Sequence, residues 1–473
     1  MASTRRRTSQ FVAAGISGVM VLAAATGSLG GLGMEPQTQV GLAILVIAAV
    51  LWITEAVPLF LTSFIILGLS LTWLTRVMPE TPPGAEFLSP FFSNIILLFL
   101  GGFTLSAALH KQKLDERMAR WVIQRTGGSL PMLVLGLMLI TAFLSMWLSN
   151  TATAAMVLAL CIPITRGMPE GDPARKAILL AVPFAANIGG VGTPIGSPPN
   201  AIALQYLKGI GAAPDFLTWM LMGVPFAIVM LAVAWVVLLF LFCRGAKHEP
   251  VKLDPITAPV SSAAWITLGI TLFTMTGWLT GSLHGFSSGT VALVPVLLLF
   301  GSGLLNNADF RGLSWDVLFV MGGGLCLGVV VADSGLAAWL VERLPTDGVS
   351  LATLAILTGV LACGMSTVMS NTATANLILP IVVGLGLATP SPVLLGVAFC
   401  CSMAMALPIS TPPNAIAFSS GVIHSRDLLG PGLIITVIGV VAIYTLGMAW
   451  WDLLGVVPGP VVAGPEVSAV VGP

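Results

Sequence analysis

Six residues, Ser149-Asn150-Thr151-Ala152-Thr153-Ala154, return 221 positions later as Ser370-Asn371-Thr372-Ala373-Thr374-Ala375. A second word, Ser197-Pro198-Pro199-Asn200-Ala201-Ile202-Ala203, returns 214 positions later as Thr411-Pro412-Pro413-Asn414-Ala415-Ile416-Ala417. A proline follows each copy of the first word, Pro163 and Pro380. Short polar words that recur in order within an apolar chain mark an internal duplication. They also mark places where helical order breaks inside a membrane, the layout of a transporter whose site lies between two repeats.

The surroundings of those words are apolar enough for this reading. The chain is 56% hydrophobic and 8% charged, against about 25% charged in soluble domains. Its net charge is zero, which argues against nucleic acid as a partner. The six cysteines form no CxxC pair and the four histidines no HExxH spacing, so neither a disulfide framework nor a metal centre is suggested. With no nucleophile–base constellation near the polar words either, the expectation is not an enzyme. It is a multi-pass protein of a bacterial-type inner (plasma) membrane, in contact with lipid and a small solute. Arg5-Arg6-Arg7 followed by an apolar run from Phe11 to about Leu29 resembles a signal peptide. The run is long enough to span, and an uncleaved first helix is expected.

A helix that crosses the bilayer needs about 20 apolar residues. By that measure spans are expected near 11–30, 39–56, 58–75, 90–109, 176–206, 216–243, 263–281, 288–305, 315–333, 392–419 and 429–452. Two further apolar stretches, 131–165 and 350–388, hold the Ser-Asn-Thr words. Pro131 to Pro163 is 33 residues and Ser350 to Pro380 is 31, whereas two crossings and a turn need roughly 40. Each is therefore expected to be a re-entrant hairpin that reaches mid-bilayer with its polar word near the tip. The predicted fold is an all-α polytopic membrane protein of about 11 transmembrane helices plus two re-entrant hairpins. With the N-terminus inside, all but Arg76, Lys208 and Arg343 of the 19 Lys and Arg residues lie on the cytoplasmic side, as the positive-inside rule requires. That arrangement is N-in/C-out and makes the halves an inverted repeat.

The repeat extends upstream, where Leu100-Gly101-Gly102-Phe103 matches Met321-Gly322-Gly323-Gly324 at the same offset of 221. Segments 111–124 and 334–344 follow, either flat at the interface or as ordinary connecting helices. The expected organisation is 1–38 as N-terminal segment and first helix, 39–248 as first repeat, and 249–259 as polar linker. The second repeat is 260–456, and 457–473 is a tail.

The duplicated words carry hydroxyls and amides and no charged side chain. Their oxygens suit a hard cation, and their O–H and N–H groups suit carboxylate oxygens. A helix broken at mid-membrane also offers an N-terminus to an anion and free carbonyls to a cation. Consecutive prolines block helix at the preceding residue, so Gly196-Ser197 and Ser410-Thr411 are expected on unwound backbone. The plainer alternatives are hydroxyls that only tie helices together and prolines that only kink them; duplication of both words weighs against these. Glu55 is either an intramembrane functional carboxylate or a cap at the end of the second helix.

These words, with Trp52-Ile53-Thr54-Glu55-Ala56-Val57-Pro58-Leu59 near the start, resemble the divalent anion/sodium symporter family of dicarboxylate, citrate and sulfate transporters. The resemblance runs over essentially the whole chain. It implies an elevator transporter, homodimeric through a scaffold, with Na+ as coupling ion and a dicarboxylate as substrate. By motif, one sodium site would use Ser145, Ser149, Asn150 and the Gly196 carbonyl. The other would use Ser366, Ser370, Asn371 and the Ser410 carbonyl. Substrate carboxylates would meet Asn150, Thr151, Asn371 and Thr372, with Ser197, Thr411 and Pro412 close by. Met369 stands where relatives often have a small residue. A sodium-independent exchanger, or a carrier of another oxyanion such as citrate or sulfate, fits the same words. A channel fits less well, because a pore has no need of paired cation and anion sites.

Overall fold

The computed structural model describes residues 2–78, 84–243, 259–343 and 349–457, with the backbone alone over 2–9. The expected linker 249–259, apart from Pro259, and nearly all of the expected tail fall outside the described residues. Among the described residues all regular secondary structure is helical, with no strand. The first half runs through α1 (Ala2–Ala25), α2 (Pro36–Thr54), α3 (Leu59–Leu69), α4 (Asn94–Lys111) and α5 (Leu114–Thr126). It continues with α6 (Leu130–Ser145), α7 (Asn150–Arg166), α8 (Pro173–Gly189), α9 (Pro198–Gly209) and α10 (Phe216–Phe242). The second half comprises α11 (Ser262–Leu279), α12 (Leu293–Gly301), α13 (Trp315–Asp333), α14 (Leu336–Val341) and α15 (Leu351–Val368). Then follow α16 (Asn371–Gly384), α17 (Ser391–Met403), α18 (Pro412–Ser419) and α19 (Ser425–Ala442).

Nine helical stretches among the described residues are long and apolar enough to cross a membrane. This is an all-α polytopic membrane protein. The stretches expected at 11–30, 288–305 and 392–419 form shorter apolar helices, Gln10–Ala25, Ser288–Gly301 and Ser391–Met403. Leu351–Val368, the first arm of the second hairpin, is itself among the long ones. The expected single spans 176–206 and 392–419 are each two helices separated by unwound backbone, α8 from α9 and α17 from α18. The physical reason is in the sequence. Pro198 and Pro412 take the first helical position, where a missing N–H costs nothing, and hold Ser197 and Thr411 extended at φ −146° and −143°.

The stretches 131–165 and 350–388 each form a pair of helices joined by a short turn, α6 with α7 and α15 with α16. Their tips are set by serines that precede the second arms: Ser149 and Ser370 are the N-caps of α7 and α16. The arms, of 16, 17, 18 and 14 residues, are roughly 21–27 Å long at 1.5 Å per residue. An upright arm of that length passes the middle of a bilayer about 30 Å thick, so a tip at mid-bilayer requires tilted arms. Residues 111–124, read as a flat segment or a connector, form α5, and 334–344 contains α14.

The helices of the two halves interleave reciprocally. From the first half, α9 packs on α16 and α17; from the second, α18 packs on α7 and α8. Likewise α4 packs against α11 and α12, and α13 against α2 and α3. The centre is α8: the stretch Pro173–Gly192 is 89% buried, whereas Ser262–Leu279 is 28% buried. A helix apolar all round and buried all round is a core helix. α11 instead shows Trp265, Ile266, Leu272 and Phe273 outward, as a lipid-facing helix does. The ion pairs Lys111–Asp309 and Lys176–Asp427 join residues that the charge count puts on one side, and Arg343 meets the Leu32 carbonyl on the other.

Candidate functional site

Two corners form where a hairpin tip meets an unwound segment. In the first, the buried Ser145 hydroxyl lies between Asn150 Oδ1 and the Ala186 carbonyl, 2.8 Å from the latter. One hydroxyl proton cannot serve both acceptors at once; Ala186 O also accepts from Gly190 N–H, so Asn150 Oδ1 is the one that depends on Ser145. The Gly196 carbonyl belongs to the same corner. A Cβ on Gly190 would stand 2.8 Å from both terminal atoms of the Asn150 amide and 3.0 Å from Gly196 O. Only glycine at 190 lets these groups approach.

The second corner repeats the plan with one change. Ser366 Oγ and Asn371 Oδ1 are both buried, and neither makes a well-formed hydrogen bond among the described residues, although the Cys401 thiol lies beside Ser366. Buried acceptors of this kind cost about 1–3 kcal/mol each when left unmade. Met369 does not fill this corner. It packs into an apolar cluster with Cys326, Leu327, Ala373 and Leu377 and anchors the tip against α13.

Each tip is tied to its unwound segment at matching positions. The Thr193 hydroxyl donates to the Met146 carbonyl and accepts from Gly196 N–H at 3.0 Å. Ser410 donates to the Thr367 carbonyl at 2.8 Å and accepts from Leu407 N–H; Met146 and Thr367 are 221 apart. Each Pro-Pro-Asn asparagine then clamps its own loop. Asn200 Nδ2 donates to Gly190 O and Thr193 O at 2.9 and 2.8 Å. Asn414 Nδ2 donates to Met405 O and Leu407 O at 2.9 and 3.0 Å. The loop carbonyls left free by broken helix are thus partly spoken for.

The corners are joined across the halves. Asn187 on α8 donates to the Thr411 hydroxyl at 3.0 Å, and Ser197 Oγ lies 3.3 Å from Ser402 Oγ on α17. Ser145, Asn150 and Gly196 therefore stand together, and Ser366, Asn371 and Ser410 occupy matching places in the second half. Ser149 instead accepts from Ala152 N–H as the α7 cap, while Ser370 caps α16 without a side-chain bond. Thr151 and Pro412 are exposed and Thr372 half-buried, on the first turns of α7, α18 and α16. Glu55 lies apart from both corners in sequence and element, as the exposed left-handed C-cap of α2 at φ 47°. Sequence reasoning missed Asn187, Thr193, Asn200, Asn414 and Asn376. Asn200 and Asn414 lay inside the duplicated word and were visible; Asn187 and Asn376 have no polar counterpart at the repeat offsets.

Asn376 docks the second hairpin on α13. Its amide donates to the Val320 carbonyl at 2.8 Å, and any Cβ on Gly324 would collide with it. Tyr206 on α9 reaches the same helix, donating to Gly324 O at 3.4 Å. The position matching Asn376 in the first hairpin is Ala155, which is exposed.

Residues 49–390 match the family described as Citrate transporter. An uncharacterized transporter of Haemophilus influenzae is 32% identical over 442 residues, covering 88% of this chain and 93% of that protein. The sodium-dependent dicarboxylate transporter SdcS of Staphylococcus aureus is 33% identical over 446 residues, covering 85% of this chain and 84% of that protein. The crystal structure of the Alcanivorax borkumensis YdaH transporter is similar in fold, with a TM-score of 0.56 at 14% identity over 79% of this chain and 89% of that one.

Proposed function

The chain belongs to the citrate transporter family, of the divalent anion/sodium symporter type, and on that footing we propose that it carries C4 dicarboxylates such as succinate inward with sodium. The observation that carries this reading is the second corner, where Ser366 Oγ and Asn371 Oδ1 are buried without a well-formed hydrogen bond, beside the Ser410 segment. Oxygen acceptors without donors are what a hard cation needs, and the same Asn and Thr side chains offer donors to a carboxylate. None of the named site residues is cationic. A buried dianion held only by neutral donors would keep a desolvation cost of several kcal/mol. Bound sodium lowers that cost, so sodium and substrate bind with positive, reciprocal cooperativity. The dependence of the Staphylococcus aureus relative on sodium points the same way.

We further read the two hairpins with their broken helices as one body that moves past a scaffold of α2–α4 and α11–α13, in a homodimer. The elevator reading is supported by the interleaving of the halves and by the glycine-lined contact of α13 with Asn376 and Tyr206. Uptake of labelled succinate into proteoliposomes, with and without an inward sodium gradient, is the direct test; gradient-driven accumulation is expected. Titration calorimetry in sodium chloride and in choline chloride at equal ionic strength supplies the second measurement. Substrate affinity falls steeply in choline if the reading holds. Equal dissociation constants would make sodium-independent exchange the better account, and more than two sodium ions per dianion would make uptake electrogenic.

A further inference from the structure

We propose that Asn187 is a positioning residue that makes the Thr411 hydroxyl an obligate hydrogen-bond donor, and so sets this corner to accept an anion's oxygen. The inference rests on the anion-transport reading above and extends it to a residue outside the duplicated words.

The chain of constraint starts at Asn414. Its Nδ2 is fixed by two backbone carbonyls, Met405 O at 2.9 Å and Leu407 O at 3.0 Å. An amide that spends its donors there turns its oxygen the other way. That oxygen faces Asn187, whose Nδ2 stands 3.5 Å from it. With an acceptor opposite, Asn187 presents its N–H groups and not its oxygen, which settles the orientation of its amide. The same Nδ2 stands 3.0 Å from Thr411 Oγ1, so the hydroxyl accepts there. Thr411 Oγ1 also accepts from the Asn414 backbone N–H at 3.3 Å, as the N-cap of α18. A hydroxyl has two lone pairs and one proton. Both lone pairs are taken, so Thr411 can engage a further group only by donating, and its proton has no acceptor among the described residues.

All three side chains are buried: Asn187 is 2% exposed, Thr411 3% and Asn414 0%. Water does not readily reset such an arrangement, and a low-dielectric setting strengthens it. The partner that fits is a carboxylate or other oxyanion oxygen approaching the first turn of α18, a helix that packs against α7. A cation is disfavoured at this hydroxyl, because the lone pairs it would need are spent. The matching serine of the first half is not set in this way. Ser197 Oγ faces Ser402 Oγ with either as donor, and makes no cap bond. The difference assigns anion recognition to the Thr411 side and leaves Ser197 free to serve either role.

The test is a double-mutant cycle on the full chain in proteoliposomes, with labelled succinate as probe and folding checked by size-exclusion chromatography. Thr411→Val raises the half-saturation concentration about tenfold, the size of one lost charge-assisted hydrogen bond. Asn187→Leu raises it by a similar factor with little change in maximal rate, and adds nothing in the Thr411→Val background. Asn187→Asp keeps the shape but presents an acceptor to Thr411, turning its proton inward, and raises the half-saturation concentration in the same way; it serves if Asn187→Leu does not fold. Unchanged half-saturation in both Asn187 variants, or effects that multiply with Thr411→Val, overturn the inference while leaving transport intact. If the wild type carries citrate or sulfate in place of succinate, the cycle is run with that anion. A wild type that carries none of the three overturns the transport reading, and this inference with it.

Discussion

The two hairpin tips carry the same six-residue word and close in different ways. At the first, the Ser145 hydroxyl already meets Asn150 Oδ1 and the Ala186 carbonyl. At the second, the matching Ser366 Oγ and Asn371 Oδ1 are buried without a well-formed hydrogen bond. The first tip also leaves Ala155 exposed, while the second is docked on α13 through Asn376. Identical local sequence therefore fixes the backbone and the cap positions, but not how the acceptors are satisfied. That depends on what the broken helices bring: the Ala186 carbonyl of α8 to Ser145 at one corner, and the weakly bonding Cys401 thiol of α17 beside Ser366 at the other. The second corner is the one that gains most from an added cation.

The largest expected effect comes from the asparagines that open α7 and α16. Asn150→Ala and Asn371→Ala should each cut transport more than roughly 100-fold, because each side chain serves two partners at about 1.5–3 kcal/mol per charged hydrogen bond. Their stabilities should diverge. Asn150→Ala removes a made contact and lowers the melting temperature, whereas Asn371→Ala deletes an unmade buried acceptor and leaves it level or raised. Uptake assays with thermal denaturation of the purified variants measure both. Equal destabilisation would erase the difference between the corners, and normal uptake by either folded variant would remove the site assignment.

Docking offers a smaller effect that can be reversed. Gly324→Ala forces a methyl group into the Asn376 amide, and overpacking of that kind costs about 1–3 kcal/mol. The cost should fall on the second hairpin alone. Adding Asn376→Ala to Gly324→Ala makes room and should restore most of the lost stability, although the bond to Val320 O is gone. If the double variant is no better than the single one, Gly324 matters for some reason other than Asn376.

Much of this was readable before any coordinates. The tips, the extended Ser197 and Thr411, and helices such as Trp315–Asp333 follow from caps, prolines and apolar length. What escaped was asymmetric. Weighing polar residues by whether they recur favours Asn150 over Asn187, whose counterpart at offset 214 is Cys401, and over Asn376, whose counterpart at offset 221 is Ala155. A lone asparagine in an apolar run gives no sign of which helix it will meet. The breaks within 176–206 and 392–419 were expected at the right residues, yet length alone drew each as one span. Hydropathy counts apolar residues and does not register a proline that starts a new helix.

The smallest effect separates the two corners by their response to sodium. Ser145→Ala strips the hydroxyl from Ala186 O and Asn150 Oδ1, leaving Asn150 Oδ1 without its donor while Ala186 O keeps the Gly190 N–H. A made hydrogen bond contributes about 0.5–1.5 kcal/mol net, and the orphaned oxygen adds to the loss. Ser366→Ala removes an atom with no well-formed hydrogen bond, beside which lies only the weakly bonding Cys401 thiol among the described side chains, so without sodium it should cost little. In sodium the order reverses. A ligand that binds only the folded state stabilises it by about 2.7 kcal/mol at 100 times its dissociation constant. If Ser366 Oγ ligates the ion, Ser366→Ala weakens that binding and forfeits part of the gain. The quantity to compare is the rise in melting temperature from choline chloride to sodium chloride at equal ionic strength. It should shrink most in Ser366→Ala, and in Ser145→Ala the deficit should already be present in choline. A rise in Ser366→Ala as large as in the wild type would mean that the buried oxygens of the second corner are not cation ligands, and that their partner is the anion itself.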